Sequence, residues 1–236
     1  WGVNRTDADL AWGTTRGTGK VVAVVDTGID KTHPDLAANI VGGRNFVRSR
    51  GVADPTKWND DNGHGTHVSG TVAALDNTVG VIGVAPEAKL LAVNVLDRNC
   101  SGYLSDIIAG LGWVVDPNGD GNTSDKQADV VNMSLGTDSD VQSFHDAVTA
   151  VYNAGVVLVA AAGNDGDTDP VPSVDYPAAY LEVVAVAATD SSDARAYFSS
   201  RGPDVELAAP GVSVKSTYKG GAYATLSGTS MASPHV

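Results

Sequence analysis

Three side chains of types that can break covalent bonds stand far apart in the sequence: Asp26, His64 and Ser230. They lie in the stretches VVDTGID, NGHGTHVSG and LSGTSMASPHV. A serine hydroxyl is a weak nucleophile until a base takes its proton, and histidine is the base whose ordinary pKa suits neutral pH. A buried aspartate can then fix the tautomer of the imidazole and stabilise its charged form. Together the three types indicate nucleophilic catalysis by a serine.

Each of these residues also has a simpler interpretation. An aspartate directly after a strand can bond nearby backbone amides in an Asx turn, and a serine near a chain end can be an ordinary turn residue. His64 and His67 are three apart and could hold a metal, but metal-binding helices of the common hydrolase type use i, i+4 with a glutamate between. Gly65 and Thr66 stand between them here, which disfavours a zinc hydrolase.

Composition limits the classes of protein and partner. The chain has 236 residues, of which 42% are hydrophobic and 18% charged, so one compact α/β domain is expected. The formal net charge is 15 − 28 = −13 with no basic stripe, which disfavours nucleic acid and anionic membranes and leaves cations as plausible partners. Cys100 is the only cysteine, so no internal disulfide can form. No apolar run approaches the roughly 20 residues of a membrane span.

The elements that must position these residues follow from short apolar runs that alternate with helix-length segments. Apolar runs without a polar face predict strands that are buried on both sides. These runs lie at 21–25, 90–95, 129–135, 156–162 and 183–188. Helical spacing is found over 104–115 and 140–155. Alternating strands and helices predict a three-layer, doubly wound, mainly parallel sheet. Catalytic groups are then expected beyond the carboxyl ends of the strands, where Asp26 stands.

The order Asp, His, Ser and the segments around these residues resemble the subtilisin-like serine endopeptidases, the subtilases. The resemblance is carried by VAVVDTGID, HGTHVSGTVAA, GVAP, NMSLG, AAAGN, YPA and SGTSMASPHV, in the family's order over nearly the whole chain. It implies that Ser230 attacks the scissile carbonyl, that His64 is general base and then acid, and that Asp26 orients His64. Asn164, otherwise a turn residue after a strand, would donate to the oxyanion with support from Thr229.

The resemblance also implies where a peptide binds. An extended substrate would pair its main chain with two segments, which explains a broad sequence preference; these are Ser101, Gly102 and Tyr103 on one side, and Ser134, Leu135 and Gly136 on the other. Leu135 with Ala161, Ala162 and Gly163 would wall an apolar pocket for the side chain before the cut. Asp165 is either a carboxylate at the rim of that pocket or a solvated loop acid.

Calcium is the cofactor that the resemblance implies. Asp35 and Asn77 would give side-chain oxygens, and Leu75, Val79 and Val81 would give carbonyls. A second candidate loop, DPNGDGNTSD, matches part of the pattern of a calcium loop, although Gln127 stands where a glutamate is expected. Its candidate ligands are Asp116, Asn118, Asp120, Asn122 and Asp125, and a plain Gly/Asx loop is the alternative. Tyr176–Pro177 is expected to be a cis bond.

The remaining expectations concern the whole protein. The chain lacks an initiating Met and stops six residues after Ser230, so we expect residues 1–236 to be a partial catalytic domain without its signal and propeptide segments. Secretion, a monomeric state, and binding of protein substrates and of its own propeptide are implied by the resemblance. The competing class of function is a subtilase-fold binding protein or fragment without activity.

Overall fold

The fold is built on one sheet of seven parallel strands. A computed structural model describes residues 1–49, 51–166 and 174–236. The strands are β1 (Val21–Asp26), β2 (Ile40–Asn45), β5 (Lys89–Asn94), β6 (Val130–Met133), β7 (Val157–Ala161), β8 (Val183–Thr189) and β9 (Leu207–Pro210). Their spatial order is β2-β5-β1-β6-β7-β8-β9, and each neighbouring pair is parallel. The predicted α/β fold is confirmed.

Smaller elements complete the described chain. Two antiparallel pairs lie outside the main sheet, β3 (Arg48–Ser49) with β4 (Val52–Ala53) and β10 (Val214–Tyr218) with β11 (Ala222–Leu226). The α-helices are α1 (Gly2–Arg5), α2 (Ala8–Ala11), α3 (His64–Ala73), α4 (Leu104–Val115), α5 (Gln142–Asn153) and α6 (Thr229–Ala232). Short 3-10 turns span Ala37–Asn39, Thr123–Asp125 and Ser233–His235. The helix predicted over 104–115 has those bounds, and the one predicted over 140–155 is α5.

Helices cover both faces of the sheet, as the apolar strands predicted. Along β1, Ala23 and Val25 belong to a core that also contains residues of α4 and α5. Val22 and Val24 belong to a second core with residues of α3. Because successive side chains of a strand point to opposite faces, these two cores lie on opposite sides of the sheet. The predicted three layers are therefore present.

The strand order places a crevice beside β1. The chain leaves β1 for β2 and β5 on one side, and then continues through β6 to β9 on the other. Ligands of such sheets bind beyond the carboxyl ends of the strands at the point where the order reverses. Asp26 ends β1, and Ser134 directly follows β6, its neighbour. None of the helices in the described ranges has the length and apolar character needed to cross a membrane.

Candidate active site

Asp26 and His64 form a hydrogen-bonded pair at the carboxyl end of β1. Nδ1 of His64 lies 2.8 Å from Oδ1 and 2.9 Å from Oδ2 of Asp26. The Asp26 side chain is 0% exposed and that of His64 is 18% exposed. A Cβ atom on Gly65 would lie 2.2 Å from the carbonyl oxygen of Gly28. Glycine at position 65 therefore lets the first turn of α3 approach the end of β1 and bring His64 to Asp26.

The surroundings of His64 favour its charged form. Burial of the ring opposes a charge, but the carboxylate of Asp26 outweighs this through its charge and its hydrogen bond. Cys100 adds a smaller contribution in the same direction. The pKa of His64 is therefore held well above its ordinary value of 6.5. A proton taken up by this ring is stabilised by Asp26, as a general base requires.

A second buried carboxylate, Asp60, anchors the first turn of α3. Its Oδ1 accepts hydrogen bonds from the Gly63 N–H at 2.8 Å and from the Thr27 hydroxyl at 2.9 Å. Its Oδ2 accepts from the N–H and the hydroxyl of Thr66, at 2.9 and 2.6 Å. Negative charge at a helix N-terminus is stabilising, so Asp60 fixes the helix start that carries His64. We did not identify Asp60 from the sequence, although an acid shortly before a helix is a recognisable signal.

Ser230 is the second residue of α6 and lines the same cavity as His64. Its hydroxyl donates a hydrogen bond to the carbonyl oxygen of Ser134 at 3.2 Å. The hydroxyl of Ser134 in turn donates to the carbonyl oxygen of Ser230 at 2.8 Å. These bonds tie α6 to the segment after β6. The fold thus brings Asp26, His64 and Ser230 to one edge of the sheet.

Asn164 lies beyond the end of β7 and is held by the residue before Ser230. Its Oδ1 accepts hydrogen bonds from the N–H of Thr229 at 3.0 Å and from the Thr229 hydroxyl at 3.1 Å. Thr229 thus contacts Asn164 directly, and its support of an oxyanion donor stays a prediction. With its oxygen engaged in this way, the donor that the Asn164 side chain offers is its NH₂ group.

Comparison with known proteins agrees with this geometry. The model of the subtilase family matches residues 17–236, which include Asp26, His64, Asn164 and Ser230. The chain belongs to the subtilase family. This subtilase is 50% identical over 220 residues to a thermostable alkaline protease of Halalkalibacterium halodurans, covering 93% of this chain and 55% of that protein.

Two further relatives differ in how much of their length is matched. An intracellular serine protease of Paenibacillus polymyxa is 44% identical over 236 residues, which is 100% of this chain and 69% of that protein. Subtilisin E of Bacillus subtilis is 46% identical over 220 residues, which is 93% of this chain and 54% of that protein. This subtilase chain thus spans about half the length of two of these three relatives.

The predicted peptide-binding segments meet at one cavity. It has a volume of about 460 Å³ and lies beside His64 and Ser230. Five predicted substrate residues line it, namely Ser101, Gly102, Ser134, Leu135 and Gly136. The cavity also has an apolar part that the sequence analysis missed, formed by Leu96, Leu104, Ile107, Phe144 and Tyr176. The spacing of 104 and 107 on one face of α4 was the available signal.

The other predicted substrate residues lie outside this cavity. Ala161, Ala162 and Gly163 are buried, and Tyr103 and Asp165 are exposed. The N–H of Asp165 donates to the hydroxyl of Ser200 at 3.1 Å. The Tyr176–Pro177 bond is cis, as predicted. The walls 134–136 and 161–163 of the predicted pocket are linked by a residue that the sequence analysis did not name, Asp175.

Asp175 places a carboxylate against both walls. A Cβ atom on either Gly136 or Gly163 would lie 2.7 Å from Oδ2 of Asp175, so glycine at both positions leaves room for the acid. Burial, together with the neighbouring carboxylates of Asp165 and Asp138 and a hydrogen bond to Asp165, raises the pKa of Asp175 to about 6. The predicted apolar pocket therefore has an acidic residue behind its walls.

The five residues of the first predicted calcium loop are close together. Asp35 is fully buried and accepts hydrogen bonds from the Asn77 NH₂ group at 2.7 Å, the Val81 N–H at 3.0 Å and the Tyr223 hydroxyl at 3.2 Å. The N–H of Leu75 donates to the Asp35 carbonyl, and that of Val79 to Oδ1 of Asn77. The Asp35 carboxylate is bonded here to N–H and O–H donors. Carboxylate, side-chain amide and backbone carbonyl oxygens are the ligand types that calcium binds, so the residue types of this loop fit the ion.

The second candidate loop closes on itself through its own side chains. Oδ1 of Asp116 accepts from the N–H groups of Gly119 and Asp120, and the Asn118 NH₂ group donates to Asp120 and Asp125. Oδ1 of Asn122 accepts from the Ser124 N–H. These oxygens lie on the surface and are of the type calcium binds, but the bonds equally describe an Asx-rich turn. Both interpretations of this loop stay open.

Proposed function

We propose that this subtilase is a serine endopeptidase that hydrolyses peptide bonds through an acyl-enzyme formed at Ser230. The observation that supports this most is the buried Asp26–His64 pair, with a 2.8 Å contact, beside the cavity that Ser230 lines. Membership in the subtilase family points the same way. Asp26, His64 and Ser230 would act as one catalytic unit.

In the first step, the Ser230 hydroxyl turns from the Ser134 carbonyl toward His64, which accepts its proton as Oγ attacks the scissile carbonyl. Asp26 keeps the ring in the correct tautomer and stabilises its positive charge. His64 then gives the proton to the leaving amine, and the acyl group remains on Oγ. In the second step a water molecule attacks the acyl group, with His64 accepting the proton of the water, and the carboxylic acid is released as Oγ of Ser230 takes the proton back.

The negative charge on the carbonyl oxygen needs donors that are already in place. We assign this role to the Asn164 NH₂ group and to the Ser230 N–H, which lies in the first turn of α6, where helix amides have no partner within the helix. The bonds from Thr229 hold the Asn164 oxygen, so the side chain need not reorganise during the reaction. In a related subtilisin, loss of one such donor lowers kcat by about 10² to 10³.

A fluorophosphonate probe tests this function directly. We expect it to modify the protein at Ser230, with loss of casein hydrolysis, and we expect Ser230→Ala to be unlabelled and inactive. A folded wild-type protein that neither reacts with the probe nor cleaves casein would instead be the catalytically silent subtilase-fold protein. Hydrolysis that stops at once on metal chelation, while the probe has no effect, would support a metallohydrolase.

The substrate class that fits is extended polypeptide with broad sequence preference. We propose that the peptide pairs its main chain with residues 101–103 and 134–136, so most of the binding does not depend on side chains. The side chain before the cut would enter the pocket between 134–136 and 161–163. There Asp165 and Asp175 would attract a basic side chain, in addition to the apolar ones that Leu135 favours.

We propose that calcium is a structural cofactor. The ion would be held by Asp35, Asn77 and the carbonyls of Leu75, Val79 and Val81, where its charge would offset the buried Asp35 carboxylate. Calcium should raise the melting temperature by mass action, and Asp35→Asn should remove most of that shift. If the shift is unchanged in Asp35→Asn but lost in Asp120→Ala, the ion is bound at 116–125 instead.

Secretion and a monomeric state are also proposals, and binding of the protein's own propeptide belongs with them. One relative is named an intracellular serine protease, so the family alone does not decide the compartment. Detection of the protein in culture medium without cell lysis would support secretion. A single species of monomer mass in analytical ultracentrifugation would support the monomer.

A further inference from the structure

The thiol of Cys100 lies next to His64 and Asp26. One ligand atom from each side chain, the sulfur of Cys100, a ring nitrogen of His64 and a carboxylate oxygen of Asp26, all lie within 4.8 Å of one another. No other group of three or more His, Cys, Asp or Glu side chains in the described ranges is as compact. Cys100 is half-buried and lines the same cavity as His64, so a small ion from solvent can reach the group.

A tight turn holds Cys100 in this place. Its φ of +59° lies in the left-handed region, which is uncommon for residues other than glycine. The Cys100 N–H donates to the carbonyl oxygen of Asp97 at 2.9 Å. Oδ1 of Asp97 accepts from the N–H groups of Asn99 and Ser101, at 2.8 and 3.1 Å. The thiol is thus presented by a closed turn rather than by a loose loop.

We propose that Cys100 and His64, with Asp26 as a third donor, form an inhibitory site for zinc and similar thiophilic divalent cations. Thiolate and imidazole are the ligands that zinc prefers, whereas the oxygen-only loop around Asp35 suits calcium. Zinc bonds of about 2.3 Å to sulfur and about 2.0 Å to nitrogen separate two such ligands by about 3.5 Å in a tetrahedral site. Small movements of the three side chains meet that spacing, and water completes the coordination.

Binding of the ion involves no oxidation or reduction. The Cys100 thiol loses its proton to solvent as the metal–sulfur bond forms, and the lone pair of a His64 ring nitrogen is donated to the ion. The nitrogen that faces Asp26 is Nδ1, so an ion bound there together with Asp26 replaces the hydrogen bond between the two residues. His64 then cannot perform its proposed role, and removal of the ion by a chelator restores it.

Zinc titration of peptidase activity is the first test, and it rests on the proposed function. Each protein is normalised to its own activity in the absence of metal. We expect the zinc concentration for half inhibition to rise at least about tenfold in Cys100→Ser, since a metal ligand is lost. The matched control is His145→Ala, which removes the imidazole of a surface pair with Glu182 and should leave that concentration unchanged. Equal sensitivity of Cys100→Ser and wild type overturns the proposal.

Cobalt absorption is the second test and needs no activity. Ser230→Ala protein, which cannot digest itself, is titrated with Co²⁺ to look for a thiolate-to-metal charge-transfer band in the near ultraviolet. Cys100 is the only cysteine of the 236 residues, so such a band reports this site alone. We expect the band in Ser230→Ala and its loss in the Ser230→Ala, Cys100→Ser double variant. Absence of the band overturns the proposal, whereas a band in a protein whose wild type is inactive supports the site and contradicts the proposed function.

Discussion

Two histidine–carboxylate pairs in the described part of the chain differ mainly in their surroundings. His64 lies 2.8 Å from Asp26, and His145 lies 3.1 Å from Glu182. In the first pair the side chains are 18% and 0% exposed, whereas in the second they are 36% and 20% exposed. The two pairs thus consist of similar groups at similar distances, but the His64–Asp26 pair is more deeply buried than the His145–Glu182 pair.

The difference shows that burial, more than the identity of the pair, determines what a histidine can do. Water reaches both side chains of the His145–Glu182 pair, and such partly exposed pairs contribute little free energy. His145 also stacks on Tyr180 with ring centroids 4.0 Å apart, and Glu182 accepts a hydrogen bond from Thr149. The Asp26 carboxylate, in contrast, is removed from water at the end of β1 and acts on His64 with little screening.

The largest expected effect comes from removing the buried carboxylate. Asp26→Asn keeps the shape of the side chain but cannot stabilise the His64 imidazolium or its correct tautomer, so kcat should fall by about 10⁴. Glu182→Gln, the same change in the exposed pair, should alter kcat by less than about twofold. The measurement is kcat on a chromogenic peptide for both variants. A loss of less than about tenfold in Asp26→Asn would show that burial of the pair does not serve catalysis.

The pH dependence of kcat/KM should depend on the His64–Asp26 pair and not on the His145–Glu182 pair. Protonated His64 cannot accept the Ser230 proton, so activity should rise with pH through the pKa of His64, which Asp26 holds well above 6.5. The acid limb should therefore lie above pH 6.5 in the wild type and move to lower pH in the residual activity of Asp26→Asn. Glu182→Gln should not move it. A wild-type profile that is flat from pH 4 to 9 would falsify the role of His64.

Much of the fold and of the site was predictable because it is encoded locally. The apolar runs gave the main strands, since a strand covered on both faces must be apolar throughout. Asp26 ends a strand and His64 begins a helix, but the roles of Asp26, His64, Asn164 and Ser230 were inferred from the resemblance of their segments to the subtilases. The structure places them at one edge of the sheet, where parallel strands present their carboxyl ends.

What was not predicted depends on contacts between distant segments. Asp175 was missed because only folding brings it against Gly136 and Gly163. The sequence analysis gave Cys100 no role, since no base stands near it in sequence, yet the turn after β5 brings its thiol to His64. No sequence pattern indicated the partly exposed His145–Glu182 pair either. Burial and through-space neighbours, which determine pKa values, cannot be read from one sequence position.

A medium effect is expected from the two acids of the proposed pocket, Asp165, which is exposed, and Asp175, which is partly buried. Asp165→Ser and Asp175→Ser should each lower kcat/KM for lysine before the cut, relative to phenylalanine, by about two- to fivefold. Since the pKa of Asp175 is about 6, the effect of its substitution should be present at pH 8 and shrink at pH 5, where the acid is neutral. The exposed acid Asp9 provides the control, Asp9→Ser. An unchanged lysine-to-phenylalanine ratio in both pocket variants would remove these acids from specificity.

The smallest effect concerns stability, where the two pairs should respond to pH in opposite directions. The folded-state pKa of His64 is raised, so the stabilisation from Asp26 is full below the unfolded pKa of histidine and is lost as pH rises through the folded value. Burial opposes ionisation of Glu182, but hydrogen bonds, including those from His145 and Thr149, keep its pKa below the ordinary value. Its stabilisation is therefore present above the unfolded pKa of glutamate and is lost as pH falls.

Chemical denaturation in a Ser230→Ala background measures both contributions without autolysis. Glu182→Gln should lower the free energy of unfolding by no more than about 1 kcal/mol at pH 7, and by less at pH 3. Asp26→Asn should be most destabilising relative to its parent at pH 6, where the imidazolium loses its buried partner, and progressively less so at higher pH as the His64 ring of the parent loses its proton. Equal losses at pH 6 and pH 10 for Asp26→Asn would mean that the buried pair stabilises the fold through hydrogen bonding alone, without a contribution from the charge on His64.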